Sequence, residues 1–284
     1  MLFDIFLDAL LDSLKMLPFL FVAYWVIEYV EHRHSAGIER ALAGGGRFGY
    51  VPGALLGLFP QCGFSAMAAN LYASKVITLG TLLAVFLATS DEAIPLLIAN
   101  PTHWRALAVI LTLKLCIAIL AGFCIDFAGK KLLPQSMRGG YAGNSEEVDC
   151  HAHDEQDGIL LAAVKHTLHI FVYILIFNAI LGGVVAFVGA DTLGAFVTGS
   201  GYWQPVLAGL VGLIPNCAAS VLLTQLFAAG QLSFGGLVSG LCTGAGVGLA
   251  VLLHANKSMK QNLFIIVLLY VIGVFAGTVV QLFA

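Results

Sequence analysis

Two short motifs in this sequence combine side chains that are well suited to binding a small ion. Each has a proline, an amide residue and a cysteine, with a serine three positions later: Pro60, Gln61, Cys62 and Ser65, and Pro215, Asn216, Cys217 and Ser220. Thiolates select soft ions such as a trivalent metalloid, whereas amide and hydroxyl oxygens suit harder ions. We predict a substrate-binding site at these motifs, with Cys62 and Cys217 as metal ligands. The alternative is that each cysteine is a small apolar residue that lets helices approach one another.

A second group of polar residues lies within apolar sequence, and its members are Thr89, Ser90, Asp91, Glu92 and Lys114. Carboxyl groups are costly inside a membrane, so they face a cavity, a partner or a proton path. We predict that this group couples transport to an ion gradient and that both acids are also candidate metal ligands. An ion pair between Lys114 and either acid would instead be structural. The corresponding later stretch has no acid, and its hydroxyl residue, Thr243, is predicted to contact substrate.

A third cluster lies in the hydrophilic stretch 129–158 and consists of Cys150, His151, His153 and Asp154. Thiol, imidazole and carboxylate groups are transition-metal ligands, so the cluster is a candidate loop site for capturing an ion. Its short spacing suits a solvated acidic linker equally well. His166 and His169 follow on one predicted helical face, where they fit either an extension of this site or an interfacial pair.

The composition excludes an ordinary soluble protein. Of the 284 residues 60% are hydrophobic and 10% are charged, and the formal net charge is −3. A soluble domain carries about 25% charged residues, and nucleic-acid binding needs a basic surface that this chain lacks. No Cys-x-x-Cys, His-Glu-x-x-His or Gly-x-Ser-x-Gly motif is present, so we do not expect an enzyme. No nucleotide-binding motif is present either, so active transport would be driven by an ion gradient.

Elements long enough to cross a bilayer must position these residues. A spanning helix needs about 20 mostly apolar residues, and that length predicts spans at 14–30, 76–99, 104–127, 159–188, 232–254 and 262–284. Within residues 1–13 the acids Asp4, Asp8 and Asp12 lie on one helical face, which predicts an interfacial helix, and the alternative is a longer first span. Two further apolar segments, 50–74 and 202–229, contain the proline motifs. Because proline removes a backbone donor and obstructs the preceding turn, each of these segments is predicted to be two short helices with a break.

The two proline motifs belong to an internal repeat. Shifting the chain by 155 positions aligns them and gives nine identities over positions 57–82, where roughly two or three would arise by chance. We therefore predict a first transmembrane repeat at 1–127, a hydrophilic cytoplasmic linker at 128–158 and a second transmembrane repeat at 159–284.

The basic residues predict how the repeats are oriented, because cytoplasmic loops are enriched in Lys and Arg. If each repeat has three spanning helices and a re-entrant hairpin, nine basic residues fall on the cytoplasmic side and Lys15 and Arg105 lie near the outer face. This count favours an all-α polytopic membrane protein with two inverted repeats, ten helical segments and broken helices at the midplane. Both termini would be external. Such broken helices are typical of transporters that bind substrate at the midplane.

The duplicated motifs, the Ser-Asp-Glu stretch at 90–92 and the His-containing central segment resemble the ten-transmembrane heavy-metal exporter family. Its members are called arsenic efflux proteins or manganese transporters. The resemblance covers nearly the whole chain and implies export of a metal or metalloid ion across the bacterial inner membrane. Arsenite would engage the two motif cysteines, whereas manganese prefers oxygen donors and would use Asp91, Glu92, Gln61 and Asn216.

Three other functions remain open at this point. Helix N-termini at the two motifs would favour a small inorganic or organic anion as the transported substrate. A non-transporting membrane subunit and a membrane-embedded enzyme are the remaining alternatives. The expected partners are the metal or metalloid ion, membrane lipid and a coupling proton or sodium ion, with a homodimer as an option. We expect no nucleic-acid partner and no resident cofactor.

Overall fold

The fold is described from a computed structural model of the chain. The structure describes residues 48–59, 62–90, 93–98, 104–132, 138–139, 190–199 and 201–283, and single helical or flanking positions within 10–25 and 164–180. The predicted interfacial helix at 1–13 and the predicted spans at 14–30 and 159–188 therefore lie mostly outside the described residues. The same is true of most of the predicted linker at 128–158.

The described ranges are helical, and we number their helices along the chain. They are α1 (Tyr50–Gly57), α2 (Cys62–Ala73), α3 (Leu79–Ala88), α4 (Ala93–Ile98), α5 (Trp104–Leu132), α6 (Ala190–Thr198), α7 (Gln204–Gly212), α8 (Cys217–Ala228), α9 (Phe234–Thr243), α10 (Val247–Ala255) and α11 (Met259–Phe283). A short 3-10 turn, Gly201–Trp203, precedes α7. Within these ranges no strand forms, and the one isolated β-bridge pairs Thr78 with Gly139. We call α1–α5 the first half and α7–α11 the second half.

The outer surface of this helical assembly is apolar. Leu120, Phe123 and Phe127 on α5 are 63%, 45% and 70% exposed, and Val271 and Phe275 on α11 are 54% and 70% exposed. Three apolar helical segments in the described residues are long enough to cross a bilayer: Trp104–Gly129, Phe234–Ala255 and Met259–Phe283. Exposed apolar side chains along helices of this length are rare on a soluble monomer and form the kind of surface that lipid covers. The chain is a multi-pass membrane protein.

The breaks predicted at the two proline motifs are present. In the first half α1 ends at Gly57 and α2 begins at Cys62, and in the second half α7 ends at Gly212 and α8 begins at Cys217. Pro60 and Gln61 lie outside the described residues. In the second half the break contains a tight turn, in which the N–H of Asn216 donates to the carbonyl oxygen of Ile214, two residues earlier, at 2.7 Å.

Two segments predicted as spans, 76–99 and 232–254, each contain a break that was not predicted, and Phe234–Ala255 is nevertheless long and apolar enough to cross a bilayer. In the first, α3 ends at Ala88 and α4 begins at Ala93. In the second, α9 ends at Thr243 and α10 begins at Val247. Gly246 has φ of 53° and ψ of −142°, a conformation that is essentially restricted to glycine. Apolar composition predicted the position of the segment at 232–254. It carries no information about the backbone conformation of Gly246.

Helices and close contacts of the first half recur 155 residues later. Helices α2, α3 and α5 begin at residues 62, 79 and 104, and α8, α9 and α11 begin at 217, 234 and 259. A Cβ atom at Gly80 would lie 2.5 Å from the carbonyl oxygen of Gly122, and one at Gly235 would lie 2.5 Å from that of Gly277. Because only glycine permits so close an approach, α3 packs directly on the backbone of α5, and α9 on that of α11.

The two halves interlock through their shorter helices. Helix α2 packs against α10 of the second half, and α8 packs against α4 of the first half. Helices α3 and α9 also contact each other, and all ten residues of α3 are buried. The buried core of the described residues includes the contact between α3 and α9, and the helix that follows each proline motif packs against a helix of the other half.

The start of the predicted linker is helical. Helix α5 continues to Leu132, and Gly139 then forms the β-bridge with Thr78. Gly139 has φ of 63°, and a Cβ atom there would lie 2.6 Å from the carbonyl oxygen of Ile77. The chain at 138–139 is thus packed against the loop that precedes α3.

Candidate functional site at the helix breaks

The second proline motif forms the beginning of α8. Asn216 is the N-cap residue, with extended backbone, and its Oδ1 accepts a hydrogen bond from the N–H of Ala218 at 3.1 Å. An N-cap side chain of this kind satisfies one of the backbone donors that the first helical turn leaves without a partner. Cys217 and Ser220 are both buried. The Asn216 amide oxygen is therefore already used to begin the helix, and the thiol and hydroxyl follow it within one turn.

The described residues of the first motif, Cys62 and Ser65, lie at the corresponding place on α2. Helix α2 begins at Cys62, whose side chain is not among those described, and Ser65 is fully buried. Ser65 packs against Gly248 of α10, where a Cβ atom on the glycine would lie 2.8 Å from the Cβ atom of Ser65. A further polar side chain on α2, Asn70, donates to the carbonyl oxygen of Ala66 at 3.2 Å.

Each motif helix packs against the helix that follows a break in the other half. Helix α8, with Cys217 and Ser220, contacts α4, which begins directly after Asp91 and Glu92 in the sequence. Helix α2 contacts α10, which begins directly after Gly246. The hydroxyl oxygen of Ser220 would lie 3.5 Å from a Cβ atom at Gly244. Asp91 and Glu92 themselves lie outside the described residues.

Lys114 connects the two broken spans. It lies within α5 and is fully buried. Its Nζ atom donates to the carbonyl oxygen of Thr89, directly after α3, and to that of Leu241 in the last turn of α9 at 2.5 Å. The last four carbonyl groups of a helix have no donor within the helix. Lys114 therefore caps the C-terminal ends of two helices from different halves.

The hydroxyl residues near Lys114 also bond to backbone carbonyl groups. Thr89 Oγ1 donates to Val85 O at 2.8 Å, and Ser90 Oγ lies 3.2 Å from Ala88 O. Thr243 Oγ1 lies 2.8 Å from Gly209 O of α7. Three residues of the predicted coupling group, Thr89, Ser90 and Lys114, thus lie together where α3, α5 and α9 meet. Thr243, the predicted substrate contact, lies on α9 where it touches α7.

Other predicted ligands do not form a cluster in the part of the chain that the structure describes. No three His, Cys, Asp or Glu side chains approach each other there closely enough to hold a metal ion. Cys116 and Cys124 are exposed on α5. The loop cluster of Cys150, His151, His153 and Asp154, and the pair His166 and His169, lie outside the described residues.

Asp126 is a polar residue of α5 whose role was not predicted. Its Oδ2 accepts from the Thr78 hydroxyl at 2.7 Å and its Oδ1 accepts from the Gly80 N–H at 3.0 Å. A carboxylate at this place favours the start of α3, because a helix N-terminus carries partial positive charge. The corresponding contact 155 residues later is between Ser233 Oγ and Gln281 Oε1, at 3.4 Å. The repeat offset was therefore a signal that could have identified this pair.

Comparison with protein families identifies the family to which this chain belongs. A family model described as "Putative, 10TM heavy-metal exporter" matches residues 2–198, which is more than half of the chain. The chain belongs to this family. The resemblance predicted from the duplicated motifs is thus confirmed, and the matched region contains the first proline motif, the acidic break and Lys114. Neither the curated proteins nor the solved structures include a match to this exporter-family chain.

Proposed function

We propose that this protein is a secondary transporter that exports a heavy-metal or metalloid ion across the bacterial inner membrane, driven by an ion gradient. The observation that carries the proposal is the exchanged packing of the motif helices: α8 against α4, and α2 against α10. The helix that begins at each motif cysteine is thereby adjacent to a helix that follows a break in the other half. Broken helices near the membrane midplane line the binding sites of secondary transporters.

We further propose that the two halves are inverted repeats and that α1–α2 and α7–α8 are re-entrant hairpins. Two features support this arrangement: the reciprocal packing of the halves and the predicted cytoplasmic excess of basic residues. Rocking of one half against the other would then open the site alternately to each side of the membrane.

Among the possible substrates, the geometry at α8 favours a soft ion. The oxygen atom of Asn216 already accepts the Ala218 N–H, whereas Cys217 follows it as a buried thiol. Sulfur ligands select soft ions such as arsenite, and manganese prefers hard oxygen donors. The same hydrogen bond weakens the case for an anion as substrate, because the Ala218 N–H at this helix N-terminus is already satisfied. We therefore propose arsenite as the first substrate to test, with Cys62 and Cys217 as its ligands.

For the coupling step we propose that Asp91 and Glu92 exchange protons as substrate binds and leaves. Both acids interrupt an apolar segment, and carboxyl groups at such positions belong to ion or proton pathways in membrane proteins. Their position in the sequence, directly before the helix that α8 contacts, would link this exchange to the second motif.

Ion-resolved transport in proteoliposomes tests the proposal. The purified protein would be offered arsenite, Mn²⁺, Zn²⁺ and a panel of oxyanions under a pH gradient, with elemental analysis of the vesicle contents. We expect arsenite transport that is lost in Cys62→Ser and in Cys217→Ser, because each removes one sulfur ligand.

Cys116→Ser is the matched control, since Cys116 is exposed on α5. It should leave arsenite transport unchanged. Transport of Mn²⁺ that survives both motif substitutions would instead assign the site to hard oxygen donors. Transport of an oxyanion alone would refute the metal-exporter proposal for this chain.

A further inference from the structure

The ammonium group of Lys114 is bound by backbone carbonyl groups where two helices end. In transporters with broken helices the C-terminal ends of half-helices and freed backbone carbonyl groups bind Na⁺. Here the carbonyl oxygens of Thr89 and Leu241 come from two broken spans and both accept from Lys114 Nζ. We propose that Lys114 is a tethered cation that permanently fills a monovalent-cation site between the two halves.

The carbonyl oxygen of Leu241 is available because α9 ends here. Four residues later, the N–H of Ala245 donates to Thr243 O at 3.0 Å, and the N–H of Gly244 donates to Gly240 O at 3.0 Å. Neither bonds Leu241, so the break leaves its carbonyl group without a donor from the helix. The Lys114 ammonium supplies that donor from α5.

Charge balance supports the same assignment. A helix C-terminus carries about half of an elementary negative charge, and α3 and α9 both end close to Lys114. Each of these ends therefore favours a positive charge at this position. A cation at this junction is therefore stabilised by the backbone of both halves.

The corresponding position of the second half has no cation. The residue 155 positions after Lys114 is Leu269, which is also fully buried. The repeat therefore keeps the buried position but carries a charge only in the first half. Leu269 consequently offers a matched control, because its truncation opens a cavity at the equivalent place without removing a charge.

This assignment has a consequence for coupling that rests on the proposed transport function. A covalently attached ammonium cannot be exchanged during a transport cycle, so the junction of α3, α5 and α9 cannot take up Na⁺. The sequence leaves a proton and a sodium ion as possible coupling ions. Because this junction cannot bind Na⁺, we expect a proton to be the coupling ion. The cation site itself is tested without any transport measurement.

The experiment compares Lys114→Ala, Lys114→Met and Leu269→Ala with the wild-type full chain in detergent. Melting temperatures are measured in N-methylglucamine chloride and during titration with ammonium, methylammonium, K⁺ and Na⁺. We expect Lys114→Ala to melt lower than wild type and to regain about 5 °C or more in a saturable titration with at least one small cation. We expect no saturable response from the other three proteins. In wild type and in Lys114→Met a long side chain fills the site. In Leu269→Ala the cavity lies where the wild type has no charge.

Three results would overturn the proposal. One is a folded Lys114→Ala that no cation stabilises. Another is an equal response of Leu269→Ala, which would indicate a general salt effect. The third is failure of Lys114→Ala and Lys114→Met to fold in every salt, because a free cation would then be unable to replace the ammonium. Recovery of folded Lys114→Ala only in the presence of a small cation would support the site.

The coupling consequence has its own measurement. Arsenite transport by the wild type should keep its rate when Na⁺ is replaced by N-methylglucamine on both sides of the vesicle. A rate that depends on Na⁺ would refute the coupling consequence but leave the melting result intact. Absence of transport for every ion would refute the proposed function alone.

Discussion

Truncation of Asp126 should destabilise the protein more than truncation of its counterpart in the second half. The Asp126 carboxylate accepts from the Thr78 hydroxyl at 2.7 Å and from the Gly80 N–H at 3.0 Å. Gln281 lies 155 residues later, and its neutral Oε1 accepts from the hydroxyl of Ser233 at 3.4 Å. Asp126→Ala removes both bonds and also the negative charge at the start of α3.

The expected magnitude follows from these contacts. A hydrogen bond to a charged group contributes about 1.5–3 kcal/mol. Because Asp126 is only half-buried, we take the low end of that range for each bond, so the two bonds together contribute about 3 kcal/mol. The long neutral contact of Gln281 contributes about 0.5 kcal/mol. At about 2–4 °C per kcal/mol for a chain of this size, Asp126→Ala should lower the melting temperature by about 6–12 °C, and Gln281→Ala by about 2 °C or less.

The assay is thermal unfolding of each purified variant in one detergent, followed by loss of the monodisperse peak in size-exclusion chromatography. Asp126→Asn should fall between wild type and Asp126→Ala, because its amide oxygen can still accept one of the two bonds. Equal shifts for the Asp126 and Gln281 truncations would refute the argument that charge and geometry distinguish the two contacts. No shift for Asp126→Ala would refute the capping role itself.

Two further predictions concern packing and topology. Gly57→Ala should destabilise the protein by about 1–3 kcal/mol or more through overpacking, because the new Cβ atom would lie 2.5 Å from the carbonyl oxygen of Val85. Gly194→Ala should be tolerated, because the nearest atom to its Cβ would lie at 3.5 Å. Thermal melting of both variants in detergent measures the difference. For topology, a cysteine placed at Ser145 should resist a membrane-impermeant thiol reagent added outside intact cells, and one at Ala284 should react; the reverse pattern would contradict the inverted arrangement.

Local features of the sequence were enough to predict the membrane character and the positions of the motif breaks. Apolar composition is additive along the chain, so windows of the length of a span identify Trp104–Gly129 and Met259–Phe283 as helices that can cross a bilayer. Proline restricts its own backbone and the turn before it, so the break before Cys217 follows from residues at the break itself. The internal repeat was visible for the same reason, because it needs only a comparison of the chain with itself.

The further breaks and the partners across the two halves required the tertiary structure. The segment Phe234–Ala255 is apolar throughout, and hydropathy does not distinguish the left-handed φ of Gly246 from that of a glycine within a helix. Lys114 was recognised as a buried charge, but its bond to the Leu241 carbonyl joins residues 127 positions apart. A backbone carbonyl group is present at every residue and so leaves no signal in the sequence. Which carbonyl groups are free to accept depends on where helices end, and which of them meet one ammonium depends on how the halves pack.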